Sequence, residues 1–393
     1  MCSSDLDAAA AAGEGSDMRE SATLKAGDWV EVQSAGEILR TLDARAQLDG
    51  MPFMPEMLRY CGRRFQVGKR AHKTCDTVDY IGGRRLLGTV HLEDLRCTGQ
   101  AHGGCQALCL LFWKEAWLRK VDGPGPAAVA GMPAPPARRA PAASGPAGCT
   151  EGDLWKGTRA SGEPTDAADP TYVCQATRLL DATVPLRRTD LGQYVEDFTS
   201  GNVGAVRMLA GFAFLAYATL VGGRYGLGAP LRWLYDTFQR LTGGSPYPDR
   251  RGKIPAGGKT PSRRLDLQPG ELVRVRPLPE ILETTDENLR NRGMGFHSEM
   301  VPFTGRTFRV LRRMEKIIHE KTGKMVFLRN DAVVLEDVVC QARYINNCRR
   351  FCPRSVYLYF REIWLERVEG AARPAPGGMA TDEPAPPASR GAA

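Results

Sequence analysis

Histidine is scarce in this chain, five in 393 residues, and the C-x2-C pair of the common zinc folds does not occur. No Ser-His-Asp order, nucleotide fingerprint or dinuclear carboxylate motif is present, which leaves no complete catalytic set of a known kind. The nearest approach to a phosphate-binding loop is GGKT at 257–260. There G-x4-G-K-[ST] requires a glycine at position 253, which is Lys253, and no strand pattern precedes it. A secretory signal is not legible either. MCSSDLDAAAAAGEGSDMRES carries acid where a signal carries base, and residues 1–23 read as a disordered tail. Long apolar runs are lacking: the stretch from Met208 to Gly223 is free of charge but bounded by Arg207 and Arg224, shorter than the roughly 20 residues of a spanning helix. It reads as a buried helix of a central domain, with membrane association as the less favoured alternative.

What is present is an ordinary globular composition, 42% hydrophobic and 25% charged, with 53 basic against 45 acidic residues. A net charge of +8 permits an acidic partner, such as nucleic acid, an anionic membrane surface or a phosphorylated substrate, without demanding one. Eleven cysteines in a chain without a legible signal point to a reducing, cytoplasmic setting, where clustered thiols bind metal more often than they pair.

An internal repeat organises the chain. Residues 24–67 align without gaps on 267–310 at an offset of 243, with 18 of 44 positions identical. The shared set includes Gly27 and Gly270, the EIL tripeptides, Asp43 and Asp286, Glu56 and Glu299, and the Gly-Arg pairs at 62–63 and 305–306. VHLEDLRC (90–97) continues onto VVLEDVVC (333–340), and EAWLRKV meets EIWLERV four residues out of that register. Each copy reads as about five short strands with period-2 alternation, which predicts a small SH3-like β-barrel.

The expected fold class is therefore a multidomain α+β chain, two homologous SH3-like barrel modules flanking a small helical domain. The first module covers 24–121, the Pro/Ala/Gly linker 122–149, the helical domain 150–248 and the second module 267–368. Residues 249–266 form a basic loop and 369–393 a second disordered tail.

The cysteines repeat with the modules. Cys97, Cys105 and Cys109 fall on Cys340, Cys348 and Cys352, giving C-x7-C-x3-C twice while the intervening residues diverge. Thiols kept amid changing neighbours suggest that sulfur itself is needed. A structural zinc wants four ligands, so Cys75, or else His72, completes the first set and His319 the second. An iron–sulfur cluster on Cys75, Cys97, Cys105 and Cys109, or buried thiols without metal, are the alternatives. His72 and His102 occur only in the first copy. With Cys75 they are weak candidates for thiolate–imidazole catalysis. Cys61, Cys149 and Cys174 have no counterparts and read as unligated, and His91 and His297 are not expected to be ligands.

These features favour a metal-stapled binding or scaffold protein rather than an enzyme. It would engage a protein partner through the MPFMPEM and MGFHSEM loops and the basic strands beyond them. Nucleic acid is the alternative ligand, reached through those strands and the 249–266 loop, and an enzyme at the first cysteine site is the third reading.

Overall fold

The computed structural model describes residues 23–77, 82–124, 148–164, 166–187, 189–223, 227–344 and 350–368. Cys348, most of the Pro/Ala linker and both expected tails, save Thr23, lie outside these residues. The chain is mixed α+β and built mainly of antiparallel sheet.

The first half runs β1 (Trp29–Val32), α1 (Ala35–Leu39), the ribbon β2 (Gln47–Leu48) and β3 (Met51–Pro52), and a 3-10 segment at Pro55–Tyr60. It continues with β4 (Arg64–Arg70), β5 (Lys73–Cys75), β6 (Gly83–Arg85), β7 (Thr89–Leu92), β8 (Trp113–Lys114) and β9 (Leu118–Val121). Between the halves come α2 (Glu151–Lys156), β10 (Val184–Pro185), α3 (Gly192–Thr199), α4 (Ala205–Gly222) and α5 (Gly228–Thr242). The second half holds β11 (Leu272–Val275), α6 (Leu278–Glu283), β12 (Arg290–Asn291), β13 (Met294–Gly295) and a 3-10 segment at Ser298–Phe303. After it come β14 (Thr307–Arg313), β15 (Lys316–Ile318), β16 (Met325–Phe327), β17 (Ala332–Val339), β18 (Tyr357–Arg361) and β19 (Leu365–Arg367).

Two five-stranded sheets result, ordered β8-β7-β4-β1-β9 and β18-β17-β14-β11-β19. Their registers coincide at the sequence offset: Val67 faces Leu92 and Val310 faces Leu335, each followed by the same irregularity, and Lys69 then faces His91 as Arg312 faces Val334. The identical residues make identical bonds. Trp117 Nε1 donates to Thr41 Oγ1 at 3.1 Å, and Trp364 Nε1 donates to Thr284 Oγ1 at 3.1 Å. Asp43 Oδ1 accepts the amides of Arg45 and Gln47, and Asp286 Oδ1 those of Asn288 and Arg290. Gly27 and Gly270 stand at φ of +92° and +87°, where a side chain is strained. Ala46 with Leu289, and Leu108 with Phe351, repeat the left-handed conformation without glycine.

Each sheet closes over its own core, around Val30, Phe53, Trp113 and Trp117 in the first half and Val273, Phe296, Phe360 and Trp364 in the second. Met51, Phe53, Met54 and Met57 are buried, as are Phe296 and Met300. MPFMPEM is therefore core, not the binding loop expected from sequence, while MGFHSEM buries Phe296, Glu299 and Met300 and leaves His297 exposed.

The 150–248 region is not a purely helical unit. Leu154, Cys174 and Leu179 join the first core, and β10 pairs with β6. Nor is α4 a buried helix, since only Val221 of its residues is buried. Within the basic 249–266 loop, Ile254 bridges to Asp286 in parallel.

The β5–β6 and β15–β16 hairpins cross between the halves. β15 meets the first half's cysteine loop: Gln106 accepts the amides of Glu315 and Lys316, and Ile318 N donates to Cys105 Sγ at 3.3 Å. In return, β5 carries Cys75 to Cys352 and Cys340 of the second half.

Candidate metal centre

The first cysteine loop leaves β7 at Leu92 and returns at β8, tied by Cys97 N donating to Cys109 O at 2.8 Å. Successive left-handed glycines, Gly103 and Gly104, turn it back on itself, and at Gly103 an added side chain would run into the Tyr172 ring at 2.5 Å. This fold brings His102 Nε2 to 3.3 Å from Cys97 Sγ. Glu56, from the preceding 3-10 segment, completes a group whose three ligand atoms all lie within 4.8 Å of one another. One ion can bridge such a group, and the chemistry of a carboxylate, a thiolate and an imidazole suits a metal.

The polar atoms at the site support that fit. Glu56 Oε1 accepts the Thr98 amide at 3.2 Å, but Glu56 Oε2 and His102 Nδ1 are buried without a hydrogen-bond partner among the described residues. Buried polar atoms left without a partner are costly unless an ion or water meets them. Cys105, Cys109, Cys174 and Glu320 line the same small cavity of about 30 Å³, which is room for one such occupant. Glu320 belongs to the crossing hairpin, where it pairs with the buried Arg354 at 2.7 Å.

Burial sets the protonation of these groups. It pushes the Cys97 thiol well above its usual range, with the Glu56 carboxylate adding to the rise. Burial likewise raises Cys109 to about 12 and Cys174 to about 11, and lifts Cys105. It lowers His102, which is a neutral imidazole at pH 7. A metal ion entering the site must displace thiol protons but not an imidazolium proton.

The second loop holds a looser group. Cys75 is hydrogen-bonded to Cys352, and that bond together with burial raises its thiol well above normal. Cys340 is raised chiefly by burial, then by Glu299, with Cys352 and Cys75 close by. Glu299 thus stands to Cys340 as Glu56 stands to Cys97. The sequence groups Cys75 with Cys97, Cys105 and Cys109; the crossing hairpin places it with Cys340 and Cys352 instead. His319 is exposed on the β15–β16 turn, its Nδ1 3.3 Å from Thr322 Oγ1, and joins no ligand group among the described residues.

The three residues considered for catalysis are dispersed. His72 Nε2 lies 3.2 Å from Asp197 Oδ1 on α3, beside the buried Lys73–Asp197 pair. Cys75 belongs to the second loop and His102 to the first. His91, not expected to be a ligand, stacks on Phe112 with its Nδ1 2.9 Å from Leu111 O, and burial lowers it to about 3. Cys174, expected to be unligated, lines the first cavity, and sequence reasoning misses Glu56 as a member of the group that could hold an ion. The signal for Glu56 is its identity with Glu299 within an otherwise apolar loop.

In comparison with known proteins, the chain matches no family model and no curated protein.

Proposed function

We propose that this chain is a tandem binding or scaffold protein whose two small SH3-like barrel modules are held as one unit by structural zinc. The observation that carries the reading is the crossing of the hairpins, which gives each cysteine loop a strand from the other half. Segments such as Cys105 and Ile318 are 213 residues apart in sequence, so a metal set beside them fixes the pair of modules as well as a loop. Glu56, Cys97 and His102 are the core of the first centre, with Cys109, Cys105 or Cys174 as the fourth ligand. Cys75, Cys340 and Cys352 are the core of the second.

Beside the first loop runs a groove of about 690 Å³ lined by Arg45, Trp155, Arg159, Tyr172 and Arg178. Arginine and aromatic side chains of this kind are enriched where proteins bind proteins, and the first centre holds one wall of the groove rigid. Through it the chain engages a protein partner, while the second module offers a further contact on the same chain.

Elemental mass spectrometry on untagged protein prepared without chelator tests this. About two zinc per chain are expected, falling by one in Cys97→Ser and, separately, in Cys352→Ser or Cys75→Ser. Iron with a visible absorbance band would replace zinc by a cluster. Protein free of metal would overturn the reading.

A further inference from the structure

One segment of this chain combines a basic excess with exposed apolar side chains. Residues 203–264 carry ten basic side chains and two acidic ones, an excess equal to that of the whole chain, 53 against 45. The same segment contains α4 and α5. Helix α4 carries one charge, Arg207 in its first turn, and is otherwise uncharged over 18 residues, 6% of them buried, long and apolar enough to cross a membrane by length and composition. A helix that is apolar all round belongs in a protein core or in lipid. This one is packed along one side only.

On that inner side Phe212 meets Tyr194 and Phe351, and Phe214 meets Tyr344. Gly211 admits the Phe351 ring, which would overlap any β-carbon there. The outer side runs Val206, Leu209, Ala213, Ala216 and Leu220, one stripe at helical spacing, all exposed, Val206 by 83% and Leu209 by 70%.

Helix α5 is turned inside out. Arg232, Asp236 and Gln239 are half-buried on its inner side, where Asp236 accepts the Tyr247 amide at 2.8 Å and pairs with Arg250. Trp233, Leu234, Phe238 and Leu241 face outward, Trp233 68% and Leu241 82% exposed. The Tyr217 hydroxyl donates to the Leu231 carbonyl and ties the two helices together. Both outer faces are apolar, and the same segment of chain carries exposed basic residues: Arg207 on α4, whose guanidinium donates to the Gln341 carbonyl, Arg240 on α5, then Arg251, Lys259 and Arg263.

We propose that the outer face of the α4–α5 pair docks on an anionic lipid surface. The helices lie in the boundary between headgroups and acyl chains, with Trp233 at that boundary and the flanking arginines and lysines on the lipid phosphates. Helix α4 does not cross the bilayer while Tyr194, Phe351 and Tyr344 hold its inner side. The basic excess of the segment that carries the face favours an anionic lipid surface over a protein partner, whose interface would be matched by both signs. This rests on none of the metal centres.

Flotation of the full chain tests it, with vesicles of phosphatidylcholine alone and with about 30% phosphatidylglycerol added. The anionic vesicles should bind at least about tenfold more tightly and lose that preference as salt rises. Phe238→Glu with Leu241→Glu, at exposed positions, should weaken binding at least about tenfold with unchanged circular dichroism and metal content. Arg251→Gln with Lys259→Gln should reduce binding to the anionic vesicles only. Absence of binding to either vesicle overturns the proposal. So does a dimer that the Phe238/Leu241 variant splits, or retention on polynucleotide without vesicle binding.

Discussion

The two halves of this chain differ least where the backbone is closed and most where the halves touch. Trp117 and Trp364, Thr41 and Thr284, and Asp43 and Asp286 make the same bonds in each half. Their loops between second and last cysteine share almost nothing but sulfur, and each faces a different visitor: Ile318 and Glu320 arrive at the first loop, Cys75 at the second. The difference teaches that the matching segments keep the same backbone anchors, while the cysteine loops beside them differ in what they meet. The first half keeps a mixed Glu, Cys and His group of its own. The second gathers thiols from both halves.

The largest effect should come from breaking one scaffold to see whether the other survives. Trp117 and Trp364 are fully buried, and replacing either by alanine should cost about 3–5 kcal/mol. Because the hairpins cross, we expect either variant to unfold as one unit with a single lowered midpoint in urea. Two separate transitions, with the unaltered half at its original midpoint, would show that the halves are independent and that the crossing contacts contribute little.

The metal chemistry of the halves should differ next. The Cys97, Cys109 and Cys340 thiols are raised by burial and that of Cys75 by its hydrogen bond to Cys352 and then by burial, whereas His102 is lowered by burial. Each thiol that binds releases a proton, so affinity rises with pH throughout the range below the thiol values. With Cys97 and Cys109 as ligands, the first centre should gain about 100-fold per pH unit, roughly 2.7 kcal/mol. With Cys75, Cys340 and Cys352, the second should gain about 1000-fold. Zinc competition against a chromophoric chelator between pH 6.5 and 7.5 separates them, using Cys352→Ser to isolate the first centre and Cys97→Ser the second. Equal slopes would mean that the two centres use the same number of thiols.

Much of the scaffold is legible in the sequence because it obeys local rules. Alternation places β1, β4, β11 and β14, and the paired glycines at 27 and 270 announce turns that need positive φ. The cysteine loops are legible as recurring sulfur. The crossing is not, because a constant offset aligns one half with the other but does not say whose core a hairpin will cover. For that reason sequence reasoning assigns Cys75 to the wrong loop. Cys174 escapes it because this cysteine has no repeat partner and enters the first core from the intervening segment. The apolar run at α4 reads as buried because absence of charge reports apolarity, and only the packing of its neighbours decides how much of it water meets.

A smaller contrast lies at the glutamates that anchor the last strands. Glu362 accepts the amides of Leu265, Asp266 and Leu267 and pairs with Arg313 at 3.0 Å. Its counterpart Glu115 accepts the Leu24 amide and pairs with Arg70 at 2.6 Å, in a less buried setting. Glu362→Gln should therefore cost about 2 kcal/mol and Glu115→Gln about 1 kcal/mol. Urea midpoints of the two variants measure the ratio, and a larger loss at Glu115 would contradict the assignment of the tighter anchor to the second half.

The smallest contrast is at the start of the first helix in each half. Ser34 caps α1 with a full box: its hydroxyl accepts the Glu37 amide, and Glu37 reaches back to the Ser34 amide at 2.9 Å. That bonding holds the Glu37 carboxyl below its usual range, so the cap is intact at neutral pH and is lost as pH falls through the lowered value. Pro277 occupies the same place before α6 without a side-chain cap, and Glu280 turns instead to Arg276 at 2.9 Å. Ser34→Ala should cost about 1 kcal/mol, and Pro277→Ala a few tenths, through the freedom it returns to the unfolded chain. Pro277→Ser rebuilds the box Ser-x-x-Glu, but gains only what Glu280 recovers by leaving Arg276, less the lost stiffness of proline, and should change stability by under about 0.5 kcal/mol. A gain near 1 kcal/mol would show that the Arg276 pair contributes almost nothing and that the second half has left a cap unused.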